Sequence, residues 1–250
     1  MVNLWSNADS KCPKYHLQVQ QICTRSMQRP NNRLIPNRHK AEELVDDAVY
    51  FFTCELSLTE PQLRARSLIH RLNANIGYEY EYRWPSLSTL YTYSNAFDDL
   101  FFFGAMKAYV RIELTEDVKL QSAWATTEYD PIKGPPNVLI RICDRRDLYQ
   151  DCNHRKNEVI GALLHELAHG FFFTYRCKGA RCSTGMALLW TEGLSGHGPS
   201  WERLVKAIGK TMQRYHPELQ GFRQALQDDI NNSVWLEPGT CEVSGMAFEA

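Results

Sequence analysis

One segment limits the possible folds more than any other. "NEVIGALLHELAHGFFFTY", residues 157–175, is apolar around almost its whole helical circumference, so the helix it predicts must be buried. Asn157 is a good N-cap for it. Inside this apolar run stand His165, Glu166 and His169. Unpartnered, each buried polar group costs roughly 1–3 kcal/mol. Residues i and i+4 lie on one helical face about a turn apart, so His165 and His169 can aim two imidazoles at one metal ion. The spacing is His-Glu-x-x-His. The five residues alone do not prove a site, but their burial demands a partner and a metal supplies one.

A catalytic zinc is held by three protein ligands and keeps one open position. A short pattern with a third histidine six residues after the second fails, because that position is Tyr175. Two candidates remain, Glu192 in "LLWTEGLSG" and His197 in "GHGPSW". His197 is favoured, since Gly196 and Gly198 leave the backbone free to approach a ligand site closely. Glu166 is then a general base and acid beside the metal, taking a proton from water and passing it to a leaving amine. His154 reads as a loop histidine.

The rest of the chain supports an α+β fold. Leu44, Val45, Ala48, Val49 and Phe52 recur at helical spacing within 41–56. A second helix opens at Thr59, an N-cap with Pro61 in the first turn. "GYEYEYRWPSLSTLYTYS" is aromatic and without clear period, and "AFDDLFFFGAM" reads as a helix end stopped at Gly104. "KAYVRIEL" (107–114), "SAWATTEYD" (122–130) and "NVLIRICD" (137–144) are strands, and "RRDLYQDCNHRKN" is a polar loop. After the apolar helix, Trp201, Leu204, Val205, Ile208 and Met212 form the core stripe of another helix. A last helix is expected in "PELQGFRQALQDDI". Helices, then strands, then core helices point to α+β rather than alternating α/β.

The expected organisation is a flexible basic arm over residues 1–40, a domain over 41–232 and a tail over 233–250. The arm has no acidic residue between Asp9 and Glu42 but carries Lys11, Lys14, Arg25, Arg29, Arg33, Arg38 and Lys40. It reads as a solvated tail that could make weak contacts to DNA phosphates. The formal net charge of −1 gives no global drive toward nucleic acid or membrane. No stretch approaches the ~18 apolar residues of a membrane span, and the N-terminus shows no secretory pattern. The expectation is therefore an intracellular protein, nuclear or cytoplasmic. There its eight cysteines are thiols or metal ligands before they are disulfides. For Cys177 and Cys182, idle thiols, a local disulfide and a second zinc site all stay open.

"HELAH" followed by "GHGPSWERL" resembles the SprT-like, Spartan-type zinc metallopeptidases, with His165, Glu166, His169 and Gly196-His197-Gly198 on the family's motif positions. "AFDDLFFFGAMKAYVRI" is similar to the family's segment ahead of its first strand. The likeness covers roughly residues 60–215. It implies a zincin-like fold with N-terminal helices, a small antiparallel or mixed sheet, and a buried active-site helix packed by C-terminal helices. It implies zinc on His165, His169 and His197, Glu166 as the catalytic residue, and a protein substrate, DNA-associated proteins included. The chain departs from the pattern in lacking the C-terminal zinc ribbon. Its segment between His169 and His197, with Arg176, Lys178 and Arg181, is longer than usual and resembles the loops of fungal members. The rival expectation is a non-catalytic, metal-stabilised module that binds nucleic acid through Arg25–Lys40.

Overall fold

A computed structural model describes residues 34–53, 58–74, 86–115, 125–130, 132–143, 152–179, 182 and 197–215. The expected tail, the expected helix at 217–230, Glu192 and most of the arm lie outside the described residues. Among those described, the fold is α+β, with five helices and a three-stranded sheet. No helix among them is long and apolar enough to cross a membrane.

Two N-terminal helices form as their periodicity predicts. Helix α1 (Ala41–Thr53) buries Leu44, Val45, Ala48 and Phe52. Helix α2 (Glu60–Ala74) starts after Thr59, whose N–H and hydroxyl both donate to the Gln62 amide oxygen, at 2.9 and 3.0 Å, while Leu63 N–H makes the first helical bond to the Thr59 carbonyl. Helix α3 (Leu87–Phe101) occupies part of the stretch without clear period. Its N-cap is Ser86, whose hydroxyl accepts from Thr89 N–H at 3.1 Å.

The end of α3 is a tight knot. Phe103 and Gly104 both take left-handed backbone, at φ 64° and 66°. Such a conformation is unfavourable for phenylalanine, but its ring is buried against Phe51 and Phe171 at 4.4 and 6.3 Å between centroids. The Asp98 carbonyl accepts from both Phe102 and Gly104 N–H, closing the helix. The Asp98 carboxylate then accepts from the Met106 and Lys107 N–H groups at 2.9–3.0 Å, so one buried residue holds both sides of the turn.

The chain proceeds into β1 (Val110–Thr115), β2 (Ala125–Tyr129) and β3 (Val138–Cys143), in spatial order β1-β3-β2. The sheet is mixed. β1 runs parallel to β3 with Ile112 opposite Ile140, and β2 runs antiparallel to β3 with Thr127 opposite Ile140. Val138, Ile140 and Ile142 alternate inward from the central strand. On the outward face Arg141 pairs with Glu128 and Glu113.

Helix α4 (Cys152–Tyr175) crosses this sheet. It begins five residues ahead of Asn157, so the expected cap at Asn157 is corrected, and His154 lies in the helix rather than in a loop. The approach to the sheet is close because residue 170 is glycine. A Cβ there would meet Val138 Cγ1 at 2.9 Å and Met106 Cε at 3.2 Å. Helix α5 (Pro199–Tyr215) buries the whole expected stripe of Trp201, Leu204, Val205, Ile208 and Met212. Residues 34–40, expected as the end of a flexible arm, are packed along the end of α4. Asn37 N–H donates to the Thr174 carbonyl, His39 is fully buried in a bridge to Arg176, and Cys177 N–H donates to the His39 carbonyl. Cys177 and Cys182 are not joined in a disulfide.

Candidate metal centre

Two histidines of the site come from α4 and the third from the residues just ahead of α5. The Nε2 atoms of His165 and His169 are 3.1 Å apart, as the i, i+4 spacing dictates. His197 Nε2 closes the triangle at 3.2 Å from His165 and 3.0 Å from His169. The three residues form the one group among the described residues with the geometry to hold a metal ion. His197 reaches the pair, and the other candidate for third ligand, Glu192, lies outside the described residues.

Proton counting shows why these rings suit a shared cation. Each Nε2 of a neutral imidazole is either a donor or a lone pair. With three such atoms mutually in contact, at least two must be of the same kind, so no tautomer assignment satisfies all three pairs. A shared cation satisfies every lone pair at once. The separations fit one. Two nitrogens bound at 2.0–2.1 Å to a tetrahedral ion are about 3.3–3.4 Å apart, slightly wider than the triangle observed. Burial holds the His169 imidazole well below the usual histidine range, and the facing His165 and His197 push it the same way. The ring is thus neutral and ready to bind.

Trp201 forms a wall of the site, and its stripe spacing had marked it only as core. It is 1% exposed, stacks on His169 at 5.2 Å and 16°, and meets His165 and His197 at 4.8 and 4.4 Å between centroids. It stands in the first turn of α5, whose start is closed by Glu202 N–H donating to the Gly198 carbonyl. Phe173, one turn beyond His169 on α4, stacks on the other side at 6.2 Å and in turn on Tyr129 of β2 at 5.9 Å.

No protein-family model, no curated protein and no solved structure matches this chain.

Glu166 follows His165 in the chain and is 7% exposed, but it does not belong to the metal-facing set. Its carboxylate meets β2, where the Thr127 hydroxyl lies 2.6 Å from Oε2 and 3.1 Å from the Glu166 carbonyl oxygen. No local pattern marks Thr127, which is 39 positions away in sequence. Its sole signal is alternation, because Ala125, Thr127 and Tyr129 share one face of β2. Tyr175, where the shorter pattern would require a histidine, turns its hydroxyl to the Ala105 carbonyl at 2.7 Å and serves the packing of α4.

Proposed function

We propose that this protein is a zinc-dependent metallopeptidase of zincin-like, SprT-like type, with zinc on His165, His169 and His197 and Glu166 as its catalytic residue. The observation that carries the reading is the pairing of the histidine triangle with a buried carboxylate directly after the first ligand. A purely structural metal site has no use for that carboxylate, which disfavours the metal-stabilised binding module. Three histidines with an open fourth position are the donor set of a catalytic zinc. Bound there, zinc supplies Lewis acidity that polarises a carbonyl and makes a nearby water acidic near neutral pH.

The chain's own residues supply the proton handling. Glu166 accepts the proton of the attacking water and returns it to the departing amine, the work of a general base and then a general acid. Trp201 and Phe173 hold the imidazoles and exclude bulk water from their side of the site, which strengthens electrostatic interactions there. The peptide itself has a natural seat. β2 is an edge of the sheet and, among the described residues, pairs with β3 alone. An extended segment of a protein substrate can add to that edge through backbone hydrogen bonds, which read any sequence and so suit an endopeptidase.

The test is Glu166→Gln. Glutamine keeps the size of the side chain but cannot take the proton. Casein cleavage falls by about 10²–10⁴-fold, while metal content and Tm stay at the wild-type level. Cleavage that persists in this variant, or that survives a chelator in the wild type, overturns the reading.

A further inference from the structure

We propose that Thr127 of β2 is the residue that positions the Glu166 carboxylate for proton transfer. The inference rests on the peptidase reading and adds to it a residue outside the metal motif.

A threonine hydroxyl has one proton to give. Of its two acceptors on Glu166, the carboxylate Oε2 is at 2.6 Å and the carbonyl oxygen at 3.1 Å. The shorter distance is that of a charge-assisted O–H to carboxylate bond, so the proton goes to Oε2. One carboxylate oxygen is thereby fixed against the sheet, which sets the orientation of the whole carboxylate. A glutamate side chain has several rotatable bonds, and a base misplaced by about 1 Å can cost on the order of 10²-fold in rate.

The strand is itself rigidly placed. Thr127 lies opposite the fully buried Ile140 of the central strand, and Tyr129 on the same face stacks on Phe173 of α4. Phe173 is two helical turns beyond Glu166 on α4, so β2 grips the helix at two points. The hydroxyl therefore reports the position of the sheet to the carboxylate. β2 is also the edge on which a peptide is seated in the reading above, so Thr127 links the base to the substrate's own strand.

The experiment compares Thr127→Val, which keeps the shape and removes the hydroxyl, with Thr127→Ser, which restores it. Thr127→Ala removes the hydroxyl in a smaller side chain and gives the answer if valine hinders folding. In zinc-loaded protein, casein turnover by the valine and alanine variants falls about 10- to 100-fold, the loss expected for one hydrogen bond to a charged group. The fall lies in kcat with KM unchanged, and serine recovers most of it. Acetohydroxamic acid provides a readout without turnover, because it binds the metal and hands its hydroxyl proton to the neighbouring carboxylate. Its affinity, measured by calorimetry, drops in the valine and alanine variants and returns with serine. Wild-type hydroxamate affinity in both hydroxyl-free variants overturns the assignment, as does a serine variant no better than valine. Failure of the peptidase reading is separate, since it shows as casein cleavage that survives Glu166→Gln, whereas the hydroxamate measurement follows the carboxylate's placement alone.

Discussion

Two buried polar clusters lie in the same core and are stabilised in opposite ways. At the end of α3, the Asp98 carboxylate is 1% exposed and accepts backbone N–H groups from Met106 and Lys107. The chain satisfies this group from its own backbone, and the result is a turn. At the start of α5, three imidazole nitrogens converge at 3.0–3.2 Å, and no arrangement of their protons satisfies them all. That cluster has the geometry to share a metal ion. A buried polar group with internal partners is architecture; one whose partners share its own polarity is a binding site.

The clusters also respond to pH with opposite sign. Burial pushes the Asp98 carboxyl up to about 7, against the opposing backbone N–H of Met106 and the nearby Lys107. A carboxyl held above its unfolded value stabilises the fold most below about pH 4, and the contribution is lost as pH rises toward 7. His169 is held low, so in metal-free protein its contribution is present above about pH 6.5 and is lost as pH falls below that.

The sharpest way to break the comparison is His197→Ala. On the proposed reading, wild-type protein is expected to carry about one zinc per chain, as a single three-ligand site requires. The variant loses that zinc and casein cleavage with it, and its Tm no longer responds to a chelator. A wild-type Tm unmoved by chelation, with no zinc on the chain, would make both clusters self-sufficient and end the distinction. Asp98→Asn has the next largest effect. The amide places an NH2 donor where an oxygen of the protonated carboxyl group can accept a backbone N–H from Met106 or Lys107, costing about 1–3 kcal/mol at low pH. It also removes a pH dependence on the order of 4 kcal/mol between pH 4 and 7, because the group no longer titrates. Denaturant unfolding across that range measures both effects, and zinc per folded chain stays at the wild-type level. Deleting residues 1–33 has the smallest effect, since it spares the packed 34–40 segment as well as both clusters. Zinc content and Tm hold, and any DNA affinity weakens with a flatter salt dependence. Unchanged DNA affinity would leave those residues a solvated tail.

Much of the site was legible because its signal is local. His165 and His169 are a turn apart in an apolar helix, and the glycines around His197 singled it out. The strands too were near their places, since Val138, Ile140 and Ile142 alternate within one short run. The first turn of α4 was not legible: "CNHRKN" is polar and reads as loop, yet it belongs to the helix and buries Lys156. Helix α3 hid behind serine, threonine and tyrosine, whose weak helical preference is overridden by burying Leu90, Tyr93 and Phe97. Thr127 and the wall formed by Trp201 could not be read at all, because both depend on contacts between distant segments.

Trp201 stands one helical turn after His197 and packs on all three rings, so the third ligand is located through α5. The distance along the chain from His169 to His197, 28 positions, is therefore no part of the site's definition. A change in the length of that connection that leaves α5 in place is expected to leave His197 beside the other two histidines. The durable signature is the short one, a histidine followed four residues later by the tryptophan that holds it.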